Sequence, residues 1–249
     1  MVNNNFDEDL SIFERIPEFL IIGGGIVGFS TAVQIQKSGK SVLVLEKEKT
    51  PGSHQSGRNS GVIHSGIYYE PNSFKSQLSI RGRELLIDFL KIKNIPYRIE
   101  GKVIVDKNIN KIENLLNRSK ILNMEGVKIL TNQELLDKEP NSIIKHGLFV
   151  PQAGVVNYRN VTEALAEEFK SLGGKIEYFE EIVSIDNENG AKVLSTKRNE
   201  YWGSYLINCG GLYSDKLAKL DGLDPSVRII PFRGEYYTLN KSKSSLVNN

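Results

Sequence analysis

Phe19-Leu20-Ile21-Ile22 is an uninterrupted apolar run, short enough for a strand buried on both faces. It enters Gly23-x-Gly25-x-x-Gly28 and a helical stretch that Gly39, flanked by Lys37 and Lys40, is expected to stop. Ser41-Val42-Leu43-Val44-Leu45 reads as a second buried strand ending at Glu46. Ser73 is placed to cap a helix running to about Lys93, and Phe74, Leu78, Leu85, Phe89 and Ile92 recur near helical spacing, so they are expected in the core. Further on, the pattern predicts a strand over 101–106, helices over 111–124 and 132–139, and a strand over 147–150. An amphipathic helix follows over 158–172, with Val161, Leu165, Phe169 and Leu172 on one side and Gly173-Gly174 at its end. Strands are expected over 175–179 and 182–186. A hairpin turn at Asn187-Glu-Asn-Gly190 leads to a third strand over 191–196. Tyr205-Leu-Ile-Asn-Cys209 reads as a strand running into Gly210-Gly211, with a helix beginning at Ser214-Asp215.

The opening strand–glycine–helix–strand unit carries the first chemistry. Gly23 allows the tight turn, Gly25 lets backbone approach a pyrophosphate, and the helix start offers N–H groups and about half a positive charge to an anion. Gly28 and Ala32, four apart, share a helix face that can lie close to the sheet. Glu46, at the carboxyl end of the second strand, can accept the hydroxyls of an adenosine ribose and disfavours a 2′-phosphate. A dinucleotide site is therefore expected here. The charge-free stretch Phe19–Gln36 is near the length of a membrane span, but its glycines, two glutamines and Ser30-Thr31 argue against one. Asp7, Glu8, Asp9, Glu14 and Glu18 against the one base Arg15 are the wrong sign for a secretory leader.

Composition narrows the field. The 249 residues suffice for one or two domains. A net charge of +2, with no basic patch interleaved with aromatics, points away from nucleic acid. The one cysteine, Cys209, excludes an internal disulfide and fits a reducing compartment. It reads as a packed thiol, having no basic partner near it in sequence. No CxxC or HExxH pattern asks for a metal. A cytoplasmic protein is expected, with a peripheral place at the inner membrane surface left open.

Residues 50–70, TPGSHQSGRNSGVIHSGIYYE, hold two of the three histidines and many short polar side chains. They start at the ligand-facing edge of the sheet and can wrap a polar ligand with backbone N–H groups and hydroxyls. GGGIVGFSTA with Glu46-Lys47, followed by HQSGRNSGVIHSGIYYEPNSFKS, resembles the FAD-dependent oxidoreductases of the D-amino acid oxidase superfamily. Within it, the chain is most similar to the L-2-hydroxyglutarate oxidase/dehydrogenase family. EPNSIIKHGLFVPQAGVVNYRNVTEALA, NCGGLYSDKLAKLDGL and PFRGEYY carry the likeness on to Tyr237.

The resemblance implies an α/β fold: a Rossmann-like FAD-binding domain of glutathione reductase type with an inserted α+β substrate domain, incomplete at the C-terminus. On that reading 1–17 is a polar extension, 18–94 and 157–222 form the FAD-binding domain, and 95–156 and 223–249 form a partial substrate domain. Gly23, Gly25, Gly28, Glu46 and Lys47 would hold the adenosine diphosphate part of FAD. Ser56, Asn59, Ser60 and Gly61 would line the pyrophosphate and ribityl side, with Val62-Ile63-His64 running past the isoalloxazine. The backbone of Val183 would meet the adenine, although from the residues alone Val183 is a buried strand residue. Gly210 and Gly211 would approach FAD from the other side, although any strand–helix turn also needs glycine.

Oxidising a 2-hydroxy acid such as L-2-hydroxyglutarate requires a base near neutral pKa, a cation for the carboxylate and a dry flavin face. His64 is the candidate base, with His54 in reserve or holding the loop. Arg233 is the candidate carboxylate clamp, and Tyr236 or Tyr158 can add a hydroxyl. The electron acceptor, oxygen or a quinone, is open. Two alternatives stand: a same-fold amino-acid or glycerol-3-phosphate oxidase or dehydrogenase, and an inactive FAD-binding remnant. PFRGEYYTLN is expected to start a further set of substrate-domain strands, which relatives of this family continue beyond.

Overall fold

The computed structural model describes residues 16–248, so nearly all of the expected N-terminal extension lies outside the described residues. The chain folds as two compact units. One comprises the described residues up to Asn59 together with Tyr158–Arg233, the other Ser60–Asn157 and the residues from Gly234 onward.

The first unit is built on a four-stranded parallel sheet. Strand β1 (Phe19–Ile22) lies between β2 (Val42–Glu46) and β13 (Tyr205–Asn208), and β9 (Lys175–Tyr178) pairs with the outer side of β2. Alternation along β1 and β2 feeds two cores at once. Ile21, Val42 and Val44 pack with Phe29, Ala32 and Val33 of α1 (Ile26–Lys37) and with Ala166 and Phe169 of α5 (Tyr158–Ser171). Leu20, Ile22, Leu43 and Leu45 face the opposite way and pack against Ile182, Ile185 and Leu194. The last two belong to an antiparallel meander of β10 (Ser184–Glu188), β11 (Ala191–Ser195) and β12 (Glu200–Gly203). A side chain at Gly203 would stand 2.6 Å from Leu20 Cγ, so glycine there lets the meander close on the sheet. Helices on one face and a three-stranded antiparallel layer on the other give this unit the expected α/β architecture.

The second unit holds two antiparallel three-stranded sheets. β8 (Gly154–Val156) is central between β3 (Val62–Ile63) and β4 (Tyr97–Arg98). β7 (Gly147–Val150) is central between β5 (Lys102–Val105) and β6 (Lys128–Leu130). Helix α3 (Ile109–Ile121) buries Ile112 against Ile67, Met124, Leu148 and Val150. Helix α4 (Asn132–Lys138) starts on a capping box between Thr131 and Glu134.

Several expectations are corrected. Helix α2 (Phe74–Ile92) is capped by Ser73, whose hydroxyl accepts from the Ser76 N–H, but its presumed core face is exposed. Phe74, Leu78, Leu85 and Ile92 are 52–80% accessible, and Leu90 is the apolar side chain the helix buries. Periodicity identifies a shared face; burial depends on what lies against it. α3 begins two residues earlier than the pattern suggests because Asn108 caps it through the Asn110 N–H. The strand expected over 182–186 is shifted to 184–188, which leaves Val183 ahead of it and 44% exposed rather than buried. Residues 231–240 form no strand, since no described strand edge pairs with them.

Candidate cofactor site

The site is built where β1 meets α1. Gly23 takes φ +109°, and a side chain on it would lie 2.4 Å from the Cys209 carbonyl at the end of β13. A side chain on Gly28 would lie 1.9 Å from the Gly23 carbonyl oxygen. Both glycines therefore let helix, turn and neighbouring strand approach at backbone distance. Gly25 is the N-cap of α1 and brings no side-chain acceptor to its first-turn N–H groups. Ser56 partly makes up for this, its hydroxyl accepting the Ile26 N–H at 2.9 Å. The polar loop expected to wrap a ligand is thus anchored on the helix start itself.

Glu46 is buried at the end of β2, 7% exposed. One carboxylate oxygen accepts the Gly24 N–H at 2.6 Å and the other accepts the Glu48 N–H at 2.8 Å. Each oxygen keeps a second acceptor site, so the group remains able to receive ribose hydroxyls. Lys47 lies beside it, its ammonium 4.5 Å from the centre of the Tyr213 ring. His54 Nε2 bonds Glu48 Oε1 at 2.7 Å, and that bond holds the Glu48 carboxyl below its usual range. Asn59 donates its amide to the Gln55 and Ser56 carbonyls at 3.1 and 2.8 Å, closing the turn that carries Ser56.

The second glycine junction has its own internal reasons. A side chain at Gly210 would meet Leu217 Cδ1 at 2.3 Å, so Gly210 admits helix α6 (Ser214–Leu220). Gly211 sits at φ +56° with open space around it. Burial pushes the Cys209 thiol up, partly countered by a hydrogen bond with Thr31, which suits a packed and unreactive sulfur. The Val183 N–H is spent on the Ser195 carbonyl at 2.8 Å. In the second unit, Ser60 is exposed and Gly61 takes φ +71°. The Gly61 carbonyl accepts the Val156 N–H at 2.8 Å, and Val62 pairs with Val155.

The candidate catalytic residues are not gathered on one element. His64 follows β3 and is exposed, Arg233 closes the first unit, and Tyr236 lies in the second, 77% exposed. Burial pushes the Tyr158 hydroxyl up at the start of α5. Motif spacing passed over Gly24, Gly52 and Gly57. A side chain on Gly24 would stand 3.0 Å from Glu46 Oε2. The Gly52 N–H donates to the Gly24 carbonyl at 2.9 Å, and a side chain on Gly57 would strike the Gly52 carbonyl at 2.3 Å. The run Gly23-Gly24-Gly25 was the visible signal. Among the described residues no cluster of His, Cys, Asp and Glu could hold a metal ion, and no helix is long and apolar enough to cross a membrane.

Glycines admitting backbone, a helix start without a side-chain cap, and a fixed carboxylate at the next strand end together fit a dinucleotide with a ribose 2′-hydroxyl. The family model described as FAD dependent oxidoreductase, DAO, matches residues 18–249. The chain belongs to this family. It is 39% identical over 238 residues to L-2-hydroxyglutarate dehydrogenase of Indibacter alkaliphilus, covering 93% of this chain and 60% of that protein. It is 40% identical over 238 residues to the enzyme of the same name from Escherichia coli, covering 93% and 56%. Among solved structures, the FAD-bound L-α-glycerophosphate oxidase of Mycoplasma pneumoniae superposes with TM-score 0.78 at 25% identity, over 84% of this chain and 57% of that one. The chain thus spans a little over half the length of the curated relatives it matches.

Proposed function

We propose that this protein binds FAD and oxidises a 2-hydroxy acid, L-2-hydroxyglutarate foremost, to the 2-oxo acid. The observation that carries the cofactor half is the buried Glu46 carboxylate fixed by the Gly24 and Glu48 N–H groups beside the α1 start. The substrate half rests on the relatives of 39–40% identity that carry the L-2-hydroxyglutarate dehydrogenase name.

When bound, FAD supplies a two-electron acceptor for the substrate's α-hydrogen. The chain's own residues do the rest. Gly25 and the first turn of α1 orient the diphosphate, and Glu46 receives the ribose hydroxyls, with Lys47 beside it. Ser56, Asn59, Ser60, Gly61, Val62, Val183, Gly210 and Gly211 supply the remaining cofactor contacts. His64 takes the hydroxyl proton, Arg233 holds the carboxylate through its two-pronged guanidinium, and Tyr236 donates a hydroxyl. The final electron acceptor would be oxygen or a quinone. The FAD-binding domain is 18–94 with 157–222, and 95–156 with 223–249 are the substrate-side segments. The protein works in the cytoplasm or at the inner face of a membrane.

The test is anaerobic bleaching of FAD-loaded protein. L-2-Hydroxyglutarate is expected to bleach the flavin. Bleaching by glycerol 3-phosphate or an amino acid and by no 2-hydroxy acid overturns the substrate, and failure to take up FAD overturns the cofactor.

A further inference from the structure

Five non-glycine residues among those described adopt left-handed backbone, and four are asparagines: Asn72, Asn94, Asn123 and Asn189. Asparagine tolerates that region through local hydrogen bonding. The fifth is Phe179, at φ +62°. A bulky side chain there is strained, and strain of this kind persists only where the surroundings impose it.

Those surroundings are explicit. Arg198 Nη2 donates to the Phe179 carbonyl at 2.7 Å and to the Tyr178 carbonyl at 3.4 Å. The same guanidinium nitrogen reaches Glu180 Oε1 at 2.7 Å, and Asn199 donates to that oxygen at 3.0 Å. The Thr196 hydroxyl binds Glu180 Oε2 at 2.6 Å. Glu180 is only 4% exposed, so a buried carboxylate staples the 196–199 turn to the Phe179 peptide. The conformation is over-determined, yet the ring gains little from it by burial, being 59% exposed. Glycine or asparagine would turn the chain at lower cost.

The ring's position supplies a reason. The Phe179 N–H donates to the Glu48 carbonyl at 3.3 Å and the Glu180 N–H to the Glu46 carbonyl at 3.0 Å. Phe179 therefore stands alongside the end of β2 that carries Glu46, the acid proposed to receive the ribose, and the base of such a ligand would lie just beyond it. We propose that Phe179 is held in this conformation to offer its ring as a stacking face for the adenine of the cofactor, and so helps select a purine dinucleotide. This rests on the cofactor reading above.

The test is titration of the full chain with ADP, by calorimetry, beside thermal unfolding of the free protein. Phe179→Gly and Phe179→Asn remove the ring and suit the backbone. They are expected to bind ADP roughly fivefold to a hundredfold more weakly, the range for losing one base–aromatic stack. Their Tm should equal or exceed that of the parent protein. Phe179→Tyr keeps the ring and should stay within about twofold of parent affinity. Unchanged ADP affinity in the Gly and Asn variants overturns the proposal. So does a Tyr variant as weak as the Gly variant, or a fall in Tm for both ring-less variants, since the ring would then serve the fold. A parent protein that binds no ADP overturns the cofactor reading itself, and this inference with it.

Discussion

The Glu46 carboxylate accepts the Gly24 N–H at 2.6 Å, joining the end of the second strand to the glycine turn after the first. A side chain at Gly24 would stand 3.0 Å from both Glu46 Cβ and Oε2, so the middle glycine of the run is required by the acid, not by the ligand. The carboxylate proposed to receive the ribose is thereby fixed by the chain itself, which would lower the ordering cost of binding.

Removing that acid should cost stability and affinity together. Glu46→Ala leaves the Gly24 and Glu48 N–H groups without their acceptor in a buried place, a loss of about 2–4 kcal/mol in urea unfolding. FAD or ADP affinity should fall about tenfold or more, since a charge-assisted acceptor for the ribose is lost. An alanine variant that binds as the parent does would remove Glu46 from the site.

Two glycines separate the needs of the site from those of the chain. Gly28→Ala drives a methyl to 1.9 Å from the Gly23 oxygen, so strand turn and helix start must move apart, at about 3 kcal/mol or more. ADP binding should weaken with it. Gly39→Ala places a methyl in open space at φ +83°, so only the backbone term applies, about 1 kcal/mol, and ADP binding should be unchanged. Unfolding curves beside ADP titrations check both.

The parallel sheet was legible because its strands are continuous apolar runs. β1 and β2 match the residues where the hydrophobic pattern puts them, and Gly23, Gly28 and Glu46 stand in the places their chemistry predicts. β6, β8 and β12 were missed for a physical reason. Lys128-Ile-Leu130, Gly154-Val-Val156 and Glu200-Tyr-Trp-Gly203 are three or four residues long, too short for an alternation to show. The Phe179 backbone left no trace in the pattern either. Its φ is imposed by Arg198, nineteen positions away in sequence, and composition carries no record of such a contact.

Helix α2 shows where periodicity misleads, and it can be checked directly. Leu90 is fully buried whereas Phe74 is 80% exposed, although the spacing alone favours Phe74 as core. Leu90→Ala should cost about 2–5 kcal/mol by leaving a cavity. Phe74→Ala should change stability by no more than about 0.5 kcal/mol. Chemical denaturation of the two variants decides it, and equal losses would put the stripe of Phe74, Leu78 and Leu85 back into the core.

The capping box of α4 should make that helix sensitive to acid. The Glu134 carboxylate accepts two hydrogen bonds, from the Lys128 ammonium at 2.7 Å and from the Thr131 N–H at 2.8 Å, and the charge of the lysine adds to them. The hydrogen bond from Lys128 is the main cause, and the bond from Thr131 the next, of a carboxyl held down at about 2. A carboxyl whose folded pKa lies below its unfolded value contributes stability that is complete above the unfolded value, about 4.3, and is lost as pH falls through the folded one. The start of α4 should therefore hold at pH 5 and above and fray progressively on acidification from about pH 4 towards 2. Amide exchange at Gln133, Glu134 and Leu135 should quicken over that window relative to the interior of α5. Glu134→Gln should quicken it already near neutral pH, because the amide keeps one acceptor but loses the charge that draws in Lys128. Thr131→Ala should do the same from the other side of the box, since its hydroxyl accepts the Glu134 N–H at 3.2 Å. Exchange that stays flat with pH in the parent protein would mean the box does not set the stability of this helix start.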